Sequence, residues 1–448
     1  LLEGSLCSSS GGGHMRVAVV CSGSAGLGAA HALRGQADIS LFEAGAYFGG
    51  HTHTVDVTLP DAHGNAVSHG VDTGFLVFNE RTYPEFIALL KELDVSAVPS
   101  DMSFSVQVPR AQGRALEWSG TSLNTVFAQR ANLLRPAFWR MLRDLLRFNT
   151  LVTDLATRGA EASLTQPLAE FLQAQKFSAE FRDWYLLPML GCIWSCPTDQ
   201  MLQFPVATMV RFCHNHGLAQ VSQRPQWWTV AGGARHYVDK ITAGITDKRL
   251  NTPVRQITRD ARGVAVTTDT GTERFDRLVL ATHSDQALAL LGGHATAQER
   301  QVLGAIHYQP NRAVLHTDTR VLPRNPSAWA AWNYEAAHST QADARVCLHY
   351  LLNRLQPVPF QQPVVVSLNP VQPIADDQVL GSFDYAHPVF DLAAIRAQAE
   401  VPALQGRQHT YFAGAWMGYG FHEDGLKAGR AAATQLLADM ERPEAQAA

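Results

Sequence analysis

The chain has little with which to cross a membrane, staple itself together or hold nucleic acid. Across its 448 residues no apolar run reaches the roughly 18 residues that suggest a membrane-spanning helix. The cysteines, at positions 7, 21, 192, 196, 213 and 347, form no CxxC pair and no repeated metal-ligand spacing. That argues against a secreted disulfide framework and for a reducing, cytoplasmic setting. Cys192 and Cys196 could meet on a helix, but two buried thiols explain them more simply. His214 and His216, beside Cys213, diverge on a helix, so no metal is assigned. A formal net charge of −4 supplies no broad positive field, and nucleic acid is not an expected partner. No Ser, His and acid arrangement marks a hydrolase.

What is present is enough sequence for two or three domains with ample apolar residues. The Ser- and Gly-rich opening, 1–14, reads as vector-derived, with Met15 as the native start. Beyond it, Val17-Ala18-Val19-Val20 feeds Cys21-Ser22-Gly23-Ser24-Ala25-Gly26 and a helix of small residues. This is the pattern of a dinucleotide site. Gly23 lets the backbone approach a diphosphate, Gly26 lets the helix pack on the strand, and the free amides at the helix start attract the anion. Leu41-Phe42-Glu43 ends a second strand in an acid, at the spacing of a carboxylate that grips ribose hydroxyls. One position departs from GxGxxG: its first glycine is Cys21, so a tight turn must accept a side chain.

Glu43-Ala44-Gly45 runs on into Gly49-Gly50-His51-Thr52, a Gly-Gly turn before another β-favouring run. Apolar residues at helical spacing follow over 85–93 and in a series of helices between about 122 and 217. Strand-like runs return at 264–268 and 278–281, more β-rich sequence fills 313–368, and a strand and helix occupy 410–438. Within 133–152, Arg140, Arg143 and Arg147 lie opposite Phe138, Met141, Leu142, Leu145 and Phe148. A solvated domain helix explains this amphipathicity, and peripheral contact with an anionic lipid surface is the alternative.

These motifs resemble the flavin amine oxidase and phytoene desaturase superfamily. There an acid on the second strand is followed by a Gly-Gly turn whose amides reach the FAD diphosphate and flavin. His51 stands where many relatives carry Arg, which makes the charge there absent or pH-dependent. Tyr411-Phe412-Ala413-Gly414-Ala415-Trp416 through Gly420-Phe421-His422-Glu423-Asp424-Gly425 resembles the second flavin motif, a strand ending in Ala-Gly and then a helix. The resemblance directs that helix start, at Glu423, Asp424 and Gly425, toward the pyrimidine edge of the flavin, where negative charge gathers on reduction. It also places Val254 at the adenine and Ala281 on the return strand. The runs at 215–218, 353–356 and 420–425 look most like a bacterial branch of predicted FAD-binding oxidoreductases, often labelled amine oxidases.

The resemblance implies an α/β protein: a Rossmann-like FAD-binding domain from 15–82, 227–292 and 404–440. A discontinuous α+β substrate domain completes it, with a helical insertion over 83–226 and a sheet over 293–403. It implies hydride abstraction to flavin N5, with O2 or a quinone as later acceptor, from a small-molecule or lipid substrate. Trp416 and Tyr419 are the expected aromatic walls and His422 a proton donor or flavin partner, with Trp194, Trp228, Trp332 and Tyr350 as weaker wall candidates. Relatives commonly carry a lysine near N5, but none of Lys91, Lys176, Lys240, Lys248 and Lys427 falls within 304–316. An acyl-lipid desaturase or isomerase is therefore weighed beside an amine oxidase. A non-catalytic flavin binder weakened by Cys21 is the third reading. Oligomeric state is left open.

Overall fold

The computed structural model describes residues 14–110, 113–219, 224–336 and 346–441. Apart from His14, the segment read as vector-derived lies outside them. At the centre is a five-stranded sheet in the spatial order Asp247–Arg249, Asp38–Phe42, Arg16–Val20, Arg277–Leu280, Thr410–Phe412, with every pairing parallel. Apart from the edge strand Asp247–Arg249, its strands are largely apolar because helices or further strands cover both faces. The first helix, Ser24–Leu33, and the last, His422–Glu441, pack on one face.

Those two helices approach unusually closely because small residues meet at the crossing. A methyl group added at Gly429 would sit 1.9 Å from the Ala25 carbonyl oxygen, and one at Gly425 would sit 2.1 Å from Ser24 Oγ. Gly28 in turn faces Leu426. These two helices are thereby locked together beside the glycine-rich turn.

On the sheet's other face lies the antiparallel Val254–Asp260, Gly263–Thr268, Gly271–Phe275 meander. A separate seven-stranded sheet runs Val379–Val389, His307–His316, Val365–Leu368, Cys347–Leu351, Trp332–Glu335, Phe104–Val108, Leu116–Ser119. The stretch 83–226, expected to be helical, thus also contributes two strands to this sheet. Its Phe104–Val108 strand runs parallel to Trp332–Glu335, a pairing between distant segments that no local periodicity announces. The helices Pro136–Thr157, Leu187–Trp194 and Val206–Asn215 share the hydrophobic core of this sheet.

A buried carboxylate ties the two halves. Asp72 accepts from the Ala234 amide at the start of the Arg235–Ala243 helix, from Thr54 Oγ1 at 2.5 Å and from Gln356 Nε2 at 2.6 Å. Burial pushes its pKa up to about 6 despite those donors.

Candidate functional site

The strand Arg16–Val20 ends at Cys21, whose amide donates to the Phe42 carbonyl at 2.9 Å. Cys21 has φ = 85°, in the left-handed region. The turn therefore keeps a glycine-type geometry, and the side chain there costs about 1–2 kcal/mol in backbone strain. Burial, with Glu43 adding to it, pushes the thiol up to about 12, so it stays protonated and is no nucleophile. Cys21→Gly is expected to stabilise the fold by about 1 kcal/mol and to tighten flavin binding. Urea unfolding and flavin titration of the variant check this.

Gly23 caps the first helix without a side-chain hydrogen bond, and no acidic residue occupies its first turn. The opening amides thus present positive potential with no acid in the helix's own first turn to neutralise it. The Gly-Gly turn folds directly over this helix start. Gly49 (φ = 125°) donates to the Ser22 carbonyl at 3.1 Å, and a Cβ at Gly50 would lie 3.0 Å from Gly23 Cα. Below it, a Cβ at Gly26 would fall 1.8 Å from the Cys21 carbonyl oxygen and 3.4 Å from Ala281 Cβ. Glycine is therefore required by contact here, and the cradle so made fits the diphosphate of a dinucleotide.

Glu43 closes the cradle. Its Oε2 accepts from the Ser22 amide at 3.0 Å and from Ser22 Oγ, while Oε1 accepts from the Gly45 amide at 2.8 Å. The Glu43-Ala44-Gly45 turn is fixed by amides of Asn251 and Thr252, each 2.9 Å from its carbonyl acceptor. That brings Val254, at the start of its strand, close to Glu43 in the chain path.

His51 emerges from the Gly-Gly turn into a cluster that sequence spacing does not reveal. Its ring lies 5.0 Å from Tyr385, 5.3 Å from His387 and 6.3 Å from His283, centroid to centroid. Burial, then His387, His283 and His422, hold its pKa well below the usual histidine range. Its Nε2 is buried without a hydrogen-bond partner, an arrangement that costs free energy unless a ligand supplies the acceptor. His283 stacks on Tyr308 at 4.3 Å, and His387 Nδ1 lies 2.8 Å from Asn311 Nδ2. These groups come from four separate segments, which is why no motif exposes them.

The second flavin motif brings some of its expected residues to this place and turns others away. Ser24 and Gly425 meet at the helix crossing described above. Thr52 Oγ1 lies 2.8 Å from Tyr237 Oη, which lies 2.9 Å from His422 Nε2. His422 is stacked on Phe75 at 3.9 Å, and burial lowers its pKa to about 3. It is a neutral imidazole joining the Gly-Gly segment to the last helix, with its Nε2 engaged by Tyr237. Glu423 turns from the cradle to cap another helix, accepting from the Glu85 and Phe86 amides at 2.9 Å each. Trp416 is 2% exposed, and its indole N–H donates to the Thr282 carbonyl at 3.1 Å. It packs in the core and walls no cleft. Gly414 is extended (φ = 173°) and lies against the Trp416 ring.

Asp424 accepts from the Tyr419 and Phe421 amides at 3.1 and 2.9 Å, bracing the loop that enters the last helix. Burial raises its pKa to about 6, against the pull of those amides. The braced loop holds Phe421 parallel to Phe212, rings 5.1 Å apart, with Tyr419 at 5.9 Å from Phe212 and His216 at 5.5 Å from Phe421. Phe421 and Phe212, on the Val206–Asn215 helix, were not singled out by sequence. An aromatic immediately before the second-motif helix was the available signal.

A cradle for a diphosphate, an acid at ribose spacing and a second helix start converging on one place form a site of the flavin-dinucleotide-binding kind. The chain belongs to the family described as flavin containing amine oxidoreductase, whose model matches residues 24–351. It is 26% identical over 209 residues to an L-amino acid dehydrogenase of Synechocystis sp., a match covering 45% of this chain and 43% of that protein. The chain therefore aligns with less than half the length of this curated relative. Among solved structures it is similar to putrescine oxidase bound to putrescine (TM-score 0.67, 16% identity, 95% of this chain and 99% of that one). It is also similar to a CLA-producing fatty acid isomerase from P. acnes (TM-score 0.64, 18% identity, 94% and 98%). At such identities these likenesses speak for the fold.

FAD fits the residues present. The amides at 23–25, the Gly49-Gly50 turn and His51 Nε2 would hold its diphosphate, Glu43 its ribose, and the start of the last helix its flavin. Among the described residues no helix is long and apolar enough to cross a membrane.

Proposed function

We propose that the chain is an amine oxidase-type oxidoreductase that removes a hydride from a carbon held against Phe421, whose ring is backed by the buried Phe212. FAD, when bound, would supply the two-electron acceptor, with O2 or a quinone as the later oxidant. The protein's part is to orient the donor carbon and exclude water. The observation that carries this is Phe421 on the Asp424-braced loop at the mouth of the second-motif helix, seated on Phe212. His51 and His387, held neutral by burial, add no cation that would repel a cationic amine.

A second reading, oxidation or isomerisation of an acyl lipid, is favoured by the outer surface of the helical layer. Leu123, Leu133, Leu134, Trp139 and Leu146 are all exposed, Leu134 at 88%. Trp139, Arg143, Leu146 and Thr150 follow one stripe of the Pro136–Thr157 helix. Six arginines against two aspartates fall within 123–158, although the chain as a whole carries −4. Exposed apolar residues set among arginines suit an anionic lipid surface. The same helix packs against the Val206–Asn215 helix that carries Phe212. The strand His307–His316 contains no lysine, and the buried Asn311 points toward His387 instead.

One experiment separates the two readings. The flavin-loaded protein is reduced anaerobically with a panel of primary and secondary amines and with unsaturated phospholipid vesicles. Bleaching by amines alone supports the first reading; bleaching by lipid alone, or lipid recovered with a moved double bond and the flavin still oxidised, supports the second. In either case Phe421→Ala is expected to lower kcat/KM about 100-fold with flavin content unchanged. Unaltered turnover in that variant would remove the aromatic pair from the proposal.

A further inference from the structure

The seven-stranded sheet carries a buried polar cluster away from the flavin cradle, which the redox chemistry does not use. Tyr334 and Leu348 point into the core shared with the helices, so their neighbours along the strands, Glu335, Cys347 and His349, project from the opposite face. Cys347 stands directly across from Glu335 in the antiparallel pairing, and His349 lies two residues further along. The three donor atoms converge. His349 Nε2 is 3.0 Å from Glu335 Oε2, Cys347 Sγ is 3.4 Å from His349 Nε2, and Cys347 Sγ is 3.8 Å from Glu335 Oε2.

We propose that Glu335, Cys347 and His349 form a binding site for a divalent metal ion of the zinc class, with a fourth position open to water. The spacing is the first reason. Zinc holding a thiolate at about 2.3 Å, an imidazole nitrogen at about 2.0–2.1 Å and a carboxylate oxygen at about 2.0–2.2 Å tetrahedrally needs those donors about 3.3–3.6 Å apart. The observed triangle brackets those values on its three sides.

The second reason is the support behind the imidazole. His349 Nδ1 lies 2.7 Å from Ser367 Oγ, which lies 2.6 Å from His316 Nε2, and His316 Nδ1 accepts from the Asp318 amide at 3.0 Å. A ligating histidine typically engages its other nitrogen in this way, which fixes the tautomer and the ring orientation. A metal ion held here would bind the thiolate and neutral-imidazole forms, so its binding would release protons to solvent. Cys347 and His349 are fully buried, while the Glu335 side chain keeps 11% exposure and offers the entry path.

The test uses the full-length, flavin-loaded protein, stripped with a chelator, supplied with zinc and passed through a desalting column. One zinc per chain is expected, with X-ray absorption showing a single sulfur neighbour at about 2.3 Å. Cys347→Val is expected to weaken zinc binding at least 100-fold without changing flavin content, and Glu335→Gln about tenfold. Because the wild-type measurement stands alone, a poorly folding variant leaves the question decidable. Flavin-loaded wild type that retains no zinc overturns the proposal, as does bound zinc with no sulfur neighbour. Zinc retained undiminished by Cys347→Val overturns it too. The cluster would then be a protonated His349 paired with Glu335.

Discussion

Gly26→Ala is expected to yield a nearly colourless protein that is less stable than the wild type by about 3 kcal/mol. The added methyl would fall 1.8 Å from the Cys21 carbonyl oxygen and 2.9 Å from its carbon. Both are backbone atoms that cannot rotate aside. Relief requires the first helix to move off the Arg16–Val20 strand, and the same movement withdraws the opening amides from the Gly49-Gly50 turn. Stability and flavin binding should therefore fail together. Gly293→Ala, where nothing lies within 4 Å of the added methyl, serves as the neutral control. Flavin absorbance per chain and thermal unfolding of both variants decide the matter. A fully yellow Gly26→Ala protein would show that the close helix–strand contact is not what builds the cradle.

That cradle was legible in the sequence because its demands are local. A glycine at 26, a Gly-Gly pair at 49–50 and an acid at 43 follow from the path of one short segment, and each leaves its mark within a few residues. The parallel sheet was legible for the same reason, through apolar runs alternating with small-residue helices. The histidine cluster was not, since His51, His283, His387 and Asn311 meet only after the sheets are assembled. The aromatic pair escaped similarly: Phe212 and Phe421 are separated by some two hundred positions, and any large core contains such residues. Trp416 and Glu423 show the reverse error. Both sit inside a flavin motif, yet one face of that motif packs the protein together, through the Thr282 carbonyl and through the amides of Glu85 and Phe86. Motif membership gives a residue's neighbourhood; which way it faces depends on what the other helix needs. Cys21 is the instructive exception, a residue that breaks the pattern while its backbone keeps the left-handed turn that the pattern requires.

Below pH 6.5 the folded protein should lose stability steeply. Burial lowers His216, His316 and His387 to about 4 and His422 to about 3, and holds His51 well below the ordinary value. In the unfolded chain the same imidazoles titrate near 6.5. Around pH 5 the unfolded state therefore binds five protons at these sites that the folded state does not, with His31, His53, His283 and His409, also lowered, acting in the same sense, and stability falls as pH falls. Asp72 and Asp424 act in the opposite sense. Burial raises both to about 6, above the unfolded value of about 3.9, so near pH 5 the folded state holds protons that the unfolded state lacks. His349, raised to about 9, is protonated in both states below pH 6 in the metal-free protein. Its contribution is lost only as pH rises through about 9. The balance of the five histidines first named against the two aspartates is about three protons taken up on unfolding, or on the order of 4 kcal/mol per pH unit near pH 5. Urea midpoints at pH 7, 6 and 5, with FAD saturating throughout, measure this directly. His216→Phe, which keeps a ring against Phe212 where the imidazole now stacks at 3.9 Å, should reduce the slope by about one proton. Equal stability at pH 7 and pH 5 would mean that these histidines reach solvent, and the neutral, water-excluding site proposed around His51 and His387 would lose its basis.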